Sequence, residues 1–184
     1  MSNEISKFVS EFEEVSNATQ KTFGNLNAEQ INWKPSAESW SVGQCFDHLI
    51  KSNEAFNPQV EKLKAGSKKH TFLESYSPFT TFFGNFLLKS LKNDAKKFKA
   101  PSKAIVPPSD ISADIIEQFI QQQTEIVETI KTLKNVDWQK TVVTSPFLKL
   151  MTYKLETAFE IGVEHAKRHF RQAERVMKTE GFPQ

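Results

Sequence analysis

The sequence predicts an all-α protein built as a four-helix bundle with one long crossover connection. Apolar residues recur at three- and four-residue steps in four long segments, the spacing that places them on one face of a helix. Glycine occurs only 6 times in 184 residues, and no segment shows the sustained alternation typical of a strand. A chain of this length fits one domain, residues 1–184, and can bury a core without disulfides.

The first helix is predicted to begin near residue 3 and to end near Gly24, because glycine readily adopts the left-handed conformation of a helix C-cap. Residues 25–40 show no sustained period, and Pro35 disfavours a regular helix there. We therefore expect this stretch to be an ordered loop that packs through its two indoles. The inward-facing series of the first helix is Ile5, Phe8, Phe12, Val15 and Thr19.

The second helix is predicted to begin sharply at Ser41. Ser41 and Gln44 form the Ser-x-x-Gln pattern of a capping box, in which each side chain accepts a hydrogen bond from a backbone N–H at the helix start. Trp40 precedes this cap and can pack on the first turn. Pro58 is expected to kink the helix or to begin a new one. The apolar series of this helix is Val42, Cys45, Phe46, Leu49, Ile50 and Phe56.

Residues 66–109 are predicted to form the long crossover, because glycines and prolines interrupt the periodic runs there. The lysine-rich run from Lys89 to Lys103 is interpreted as a solvated face rather than a binding patch. Four phenylalanines mark a short helical stretch, and we expect their rings to pack in the core, with a pocket wall or a dimer face as alternatives. These residues are Phe79, Phe82, Phe83 and Phe86.

The third and fourth helices carry regular helical patterns. The third is predicted to begin near residue 111 and presents an isoleucine-rich face. The fourth runs from about residue 152 to residue 180, and Gly181 and Pro183 close it. Between these two helices, residues 141–144 are interpreted as briefly extended.

The charge balance and the cysteine content exclude several classes of function. The 24 Lys and Arg against 22 Asp and Glu give a net charge of +2, too balanced to indicate a nucleic acid or an anionic membrane as partner. No segment approaches the roughly 20 apolar residues of a membrane span, and the N-terminus lacks a signal-peptide pattern. Cys45, the single cysteine, fits a reducing compartment. We therefore expect a cytoplasmic protein.

Two of the four histidines form a metal-ligand pattern on the fourth helix. His165 and His169 are four residues apart, so both imidazoles lie on one helix face and can reach one ion. The apolar stripe of this helix includes both, which turns them inward, where neutral imidazoles need polar partners. A metal ion would supply those partners. The alternative is that the spacing arose by chance and that both are ordinary core or surface histidines.

His48, on the second helix, is a candidate third ligand. It lies at the shoulder of the apolar stripe, about 80–100° from its centre, which would point it into the bundle mouth. A helix-surface histidine is the alternative. Three imidazoles leave a coordination position open, as in catalytic sites, and suit a divalent ion, which can be zinc, nickel, iron or copper. Ala166 stands where the His-Glu-x-x-His metalloprotease helix carries its glutamate, which disfavours peptidase chemistry.

Three segments of the sequence resemble the DinB-like (YfiT-like) superfamily. Residues 40–49, Trp-Ser-Val-Gly-Gln-Cys-Phe-Asp-His-Leu, resemble its W-S-x-G-x-x-x-x-H-L signature. Residues 26–35 resemble the approach to that helix, and residues 165–172 resemble its closing H-x-x-x-H-x-x-Q helix. The matches occur in the family's order and span most of the chain. The resemblance implies a four-helix bundle, commonly dimeric, with a divalent metal held by His48, His165 and His169.

The resemblance also implies a class of reaction. Characterised relatives include thiol-dependent S-transferases and an isomerase, which use the metal to bring a low-molecular-weight thiol to its thiolate form. We therefore expect a metal-dependent enzyme that transfers such a thiol to an electrophilic small molecule, or a related hydrolase. The alternative is a non-enzymatic metal-binding or protein-interaction member of the same fold. The surplus of phenylalanine in residues 72–88 and the family resemblance predict a homodimer.

Three further side chains have simpler expectations. His70 lies among lysines and is expected to be exposed. Cys45 lies on the apolar stripe of its helix and is expected to be a buried structural thiol rather than a nucleophile. Gln172 follows His165 by seven residues, so it either hydrogen-bonds near the metal or faces solvent.

Overall fold

The computed structural model describes residues 3–94 and 102–184. Its first part contains α1 (Asn3–Phe23), α2 (Ala28–Asn32), α3 (Val42–Glu54), α4 (Asn57–Lys64), α5 (Phe72–Tyr76) and α6 (Thr80–Leu91). Its second part contains a 3-10 turn (Lys103–Ile105), α7 (Ile115–Thr132), β1 (Val142–Thr144), β2 (Thr152–Lys154) and α8 (Leu155–Met177). The mostly helical architecture confirms the predicted all-α class.

The four long helices form the bundle. Helix α1 packs against α7 and α8, and α3 packs against the same two helices, so the four form a closed ring. The crossover between α3 and α7 carries α4, α5 and α6, and α6 packs against the outer side of α8 and against β2. Within the described residues, no helix combines the length and the apolar character that a membrane crossing requires.

The core consists of two clusters of buried apolar side chains, one towards each end of the bundle. In the cluster around the start of α3, the Phe46 ring packs edge-on against Phe23 at 5.2 Å between centroids and against Phe119 at 5.0 Å. In the other cluster, the Phe8 ring stacks on Trp138 at 5.7 Å. The predicted apolar faces of the first three long helices therefore meet in the interior.

The start of α3 is held by a capping box, as predicted. Ser41 Oγ accepts a hydrogen bond from Gln44 N at 3.1 Å, and Ser41 N donates to Gln44 Oε1 at 3.1 Å. The Gln44 amide nitrogen also donates to the Pro108 carbonyl at 2.8 Å, which ties this turn to the end of the crossover. The first turn of α3 is thus fixed both to its own cap and to the segment that precedes α7.

Several boundaries differ from the prediction. The stretch of residues 25–40 contains a short helix, α2, because Asn27 and Gln30 form a second capping box before Pro35 ends the helical region. Gly24 follows the end of α1 but does not adopt a left-handed conformation, whereas Gly181, with φ 85°, does. Of the two alternatives for Pro58, the structure shows the second, since this residue lies in the first turn of a separate helix, α4.

The third and fourth long helices also begin later than predicted. Helix α7 begins at Ile115 rather than near residue 111, and α8 begins at Leu155 rather than near residue 152. The residues just before α8 instead form β2, which pairs antiparallel with β1, with Val143 opposite Tyr153. The brief extended stretch predicted for residues 141–144 is therefore one arm of a hairpin.

The core packing predicted for the crossover phenylalanines is wrong. Phe79, Phe82 and Phe86 are 57%, 63% and 51% exposed, and only Phe83 is half-buried among the four. Helix α6 meets α8 and β2 through its opposite face, where Gly84 lies against Thr157 and Leu88 is buried. Because this opposite face packs on the bundle, Phe79 and Phe82 are left outward. Phe86 is half exposed and lines a large cavity, which agrees with the pocket-wall alternative for this residue.

The structure describes only part of the lysine-rich run that was predicted to be a solvated face. Lys89, Lys92 and Lys103 are exposed, as expected of a solvated face. The middle of the lysine-rich run, residues 95–101, lies outside the described residues.

Candidate metal centre

The structure brings together the three histidines singled out in the sequence. His48 lies in the second turn of α3, and His165 and His169 lie on successive turns of α8, the helix against which α3 packs. The candidate ligand atoms of the three side chains all lie within 4.8 Å of one another. His48 Nε2 and His165 Nε2 are 3.2 Å apart. This cluster could hold a metal ion.

His48 lies deeper than its place on the helical wheel predicted. Its side chain is buried, with a relative exposure of 4%, although it borders a large cavity. The 3-10 turn covers it, and the Ile105 carbonyl of that turn lies 2.7 Å from His48 Nδ1. His169 is also buried, and His165 is half-buried. This turn belongs to the crossover, and a helical wheel of α3 contains no information about where the crossover packs.

The hydrogen bond to Ile105 determines which nitrogen of His48 is available to a metal. A carbonyl oxygen can only accept, so His48 Nδ1 carries the proton and donates it to Ile105 O. His48 Nε2 then presents its lone pair towards His165. A ring N–H held by a carbonyl on the far side is the usual arrangement of a metal-binding histidine.

The spacing of the nitrogens also fits an ion. Two nitrogens bound to zinc at about 2.0–2.1 Å in tetrahedral geometry lie about 3.3–3.4 Å apart. The 3.2 Å between the Nε2 atoms of His48 and His165 is close to that value. A bound ion would satisfy two nitrogens that otherwise face one another. His169 Nδ1 is buried and has no hydrogen-bond partner within the described residues.

Burial keeps the three imidazoles neutral. Loss of contact with water is the main cause that lowers the pKa of each ring, and the pKa of His165 falls to about 3. The neighbouring histidines and Arg168 are smaller causes of the lowered pKa values of His165 and His169. For His48, the bond to Ile105 opposes the effect of burial without reversing it. Neutral rings have the lone pairs that metal binding requires.

Trp40 covers the cluster from the side of the α3 N-terminus. Its indole stacks on the His169 ring at 5.7 Å between centroids, with an angle of 21° between the planes. It also contacts the His48 ring at 4.9 Å. The sequence predicted packing of Trp40 on the first turn of α3, and the structure adds these contacts with two candidate ligands. Trp40 lies directly before the cap of the helix that carries His48, and this position was the signal in the sequence that its ring could contact the ligands.

A large cavity opens at the histidine cluster. Its volume is about 1520 Å³, above the roughly 300–1,000 Å³ of common ligand sites. The three histidines and Trp40 line one part of it, and apolar side chains line much of the remainder. Among these apolar side chains are Phe12, Phe56, Ile126, Ala158 and Phe159. An ion held by the three histidines would lie beside a space large enough for a small organic molecule.

The remaining candidates occupy the positions expected of them. Cys45 is fully buried, and burial raises its pKa to about 12, as expected of a structural thiol. His70 is exposed. Gln172 lines the cavity and is half-buried beside His169. Ala166 is buried between the two histidines of α8, so no carboxylate stands at the position of the protease glutamate.

Comparison with protein families agrees with this geometry. Residues 11–173 match the family model described as the DinB superfamily, and the matched region contains all three histidines. No curated protein and no solved structure matches the chain. A match over most of the chain, with the helical bundle and the three-histidine cluster inside it, shows that the protein belongs to the DinB superfamily.

Proposed function

We propose that the protein is a metal-dependent enzyme that transfers a low-molecular-weight thiol to an electrophilic small molecule. The observation that carries the proposal is the convergence of three neutral imidazoles on the wall of a large cavity. When bound, a divalent ion lowers the pKa of a thiol or water molecule that reaches it. The three-histidine cluster and the adjoining space support both requirements of this chemistry, an ion and room for two small molecules.

His48, His165 and His169 are the residues that would hold the ion. Their imidazole donors suit zinc or nickel first, and iron or copper as alternatives. Because all three donors are neutral, none of them offsets the positive charge of the ion, as a carboxylate or thiolate ligand would. Arg168, which acts electrostatically on His165 and His169, adds to the positive character of the site. A site of this kind favours an anionic sulfur over a neutral one.

In the proposed transfer, the thiol loses its proton to water and its sulfur forms a bond to an electrophilic carbon of the substrate. The leaving group departs with the electrons of the bond that breaks, so charge and atoms balance. The apolar walls of the cavity, including Phe12, Phe56 and Phe159, would hold the organic part of the substrate and exclude water from it. A reducing, cytoplasmic location fits this use of a free thiol and the presence of a single buried cysteine.

The proposal is tested by metal loading followed by a transfer assay. Protein purified without a polyhistidine tag or chelator is loaded with zinc or nickel and mixed with a panel of low-molecular-weight thiols and a chromogenic aryl chloride. We expect one ion per chain and thiol transfer that chelation abolishes. An ion-loaded protein with no transfer across the panel would favour the non-enzymatic metal-binding alternative, and a protein that takes up no ion would contradict the metal centre itself.

We further propose that the exposed aromatic side chains of α5, of α6 and of the residue just before α6 pair two copies of the chain. Five of these rings are more than half exposed, and an aromatic side chain buries about 150–250 Å². Together they offer a large part of the roughly 800 Å² per partner that a stable interface buries. Solvated patches of this size are uncommon on monomers. The five residues are Phe72, Tyr76, Phe79, Phe82 and Phe86.

A further inference from the structure

We propose that Trp40 is a positioning residue for the metal centre, holding the imidazole of His169, and with it that of His48, in the orientation that binds the ion. The inference rests on the proposed metal site. Trp40 has no atom that binds a metal, but its ring contacts two of the three histidines that would hold the ion.

The first support is the ring geometry. The indole plane lies nearly parallel to the His169 imidazole, at 21°, with 5.7 Å between centroids, the offset arrangement that aromatic pairs prefer. The same indole meets the His48 ring at 4.9 Å and 54°. One rigid side chain therefore limits the rotation of two imidazoles that belong to different helices.

The second support is the difference in hydrogen bonding between the two rings. The His48 ring is held by its bond to the Ile105 carbonyl. Within the described residues, His169 Nδ1 is buried and has no such bond. A metal-binding histidine normally has its ring oriented by a hydrogen bond at the nitrogen that does not bind the ion. At His169, which also interacts with Gln172 of its own helix, the stacked indole is the neighbour from outside α8 that is placed to restrict the tilt of the ring.

The third support is the rigidity of Trp40 itself. It directly precedes Ser41, whose capping box with Gln44 fixes the local backbone, and Gln44 is tied in turn to the Pro108 carbonyl. The indole is thereby held relative to α3, while His169 lies on α8. Trp40 thus holds the His169 ring of α8 in a fixed position relative to the cap of α3.

The experiment compares Co²⁺ binding by the full chain and by three variants. Trp40→Phe keeps an aromatic ring, Trp40→Leu removes it, and Trp33→Leu is the matched control, because Trp33 is also half-buried but packs on Phe182, at 5.6 Å. Affinity is measured by competition with a chelator, and the ligand-field absorption of bound Co²⁺ reports the coordination geometry. Thermal melting of the metal-free proteins measures the effect on the fold.

We expect Trp40→Leu to weaken Co²⁺ binding by about 10-fold or more, the effect typical of a lost orienting partner, and to change the absorption spectrum. Trp40→Phe should stay within about 3-fold of the wild type, with its spectrum, and Trp33→Leu should bind normally. Wild-type affinity and spectrum in Trp40→Leu would overturn the positioning role.

Two further outcomes are separable from these. If Trp40→Leu does not fold, Trp40→Met replaces it, since the longer side chain retains more apolar volume without a ring, and the same criteria apply. If the wild type itself binds no Co²⁺, the metal centre is wrong and the role of Trp40 falls with it. Normal wild-type binding together with normal Trp40→Leu binding removes only the role of Trp40.

Discussion

At the scale of single residues, the histidine cluster places three rings with the same chemistry in three different surroundings. His48 is held by a carbonyl, and His165 completes the group from one turn away from His169. His169 lies under an indole, and its Nδ1 has no hydrogen-bond partner among the residues that the structure describes. All three are kept neutral chiefly by burial.

Replacing His169 by alanine is expected to remove most of the metal affinity and any thiol transfer. The loss should exceed the about 10–100-fold range of an outer-shell change, because a ligand itself is lost. The fold should survive, since the core is made by the apolar clusters of the bundle. Metal titration and thermal melting of the metal-free protein measure both effects. His70→Ala, which removes an exposed histidine, is the control and should change neither.

The metal-free protein is expected to lose stability as the pH falls from about 6.5 towards 4. The folded-state pKa values of the three histidines lie below the usual 6.5, so the unfolded chain binds more protons in this range and the free energy of unfolding rises with pH. Urea unfolding of the chelated protein at pH 5 and pH 7 measures the difference. A double variant, His165→Gln with His169→Gln, should show a smaller difference; an equal one would contradict the assignment.

At the scale of secondary-structure elements, the position of α3 decides whether His48 reaches α8. The first turn of α3 approaches two neighbouring segments closely, because Gly43 has no side chain to keep them apart. A Cβ atom at this position would lie 2.6 Å from Ile31 Cγ2 and 2.8 Å from Ile111 Cγ2. The glycine therefore permits the close packing of α3 against α2 and the segment before α7.

Gly43→Ala is expected to lower the free energy of unfolding by about 1–3 kcal/mol, the usual cost of overpacking a core. Because α3 must shift to relieve the contact, metal affinity should fall as well. The matched control is Gly162→Ala in α8, where the added Cβ would meet only Phe12, at 3.5 Å. That variant should be neutral or more stable, since alanine favours a helix over glycine by about 1 kcal/mol. Denaturant unfolding of both variants distinguishes a crowded position from a general effect of losing glycine.

At the scale of the whole molecule, helix α6 packs on the outside of the bundle and also carries part of the exposed aromatic surface. Helix α6 uses its face with Gly84 and Leu88 to pack on α8 and β2, and the rings of Phe82 and Phe86 remain more than half exposed. The exposed rings are also in contact with one another, as Phe82 and Phe86 are stacked at 6.5 Å between centroids. An apolar surface of this kind is what a self-association interface requires.

Replacing Phe82 and Phe86 together by glutamate is expected to convert a dimer into a monomer. The two new charges would repel their copies across the interface and remove apolar area from it. Sedimentation should give about twice 21.0 kDa for the wild type and 21.0 kDa for the variant. Gln121→Glu, a charge added on the exposed side of α7, should remain dimeric. A wild-type protein that sediments as a monomer at micromolar concentrations would contradict the proposed pairing.

The sequence by itself determined the helical bundle, the cap of α3 and the pairing of His165 with His169. These features depend on residues within four positions of one another along one helix. The apolar period and the Ser41–Gln44 pattern therefore predict them directly. The signature around His48 indicated that this residue joins the pair, and the structure brings the three rings together.

Only the tertiary structure decided how deeply His48 is buried, which face of α6 turns outward and where α8 begins. His48 is covered by the Ile105 turn, 57 residues away along the chain, and the stack of Trp40 on His169 joins the cap of α3 to α8. The outward face of α6 depends on a close approach at Gly84, and the start of α8 depends on strand pairing across the hairpin. Contacts between segments far apart in sequence leave no local period, so no pattern of neighbouring residues could have predicted them.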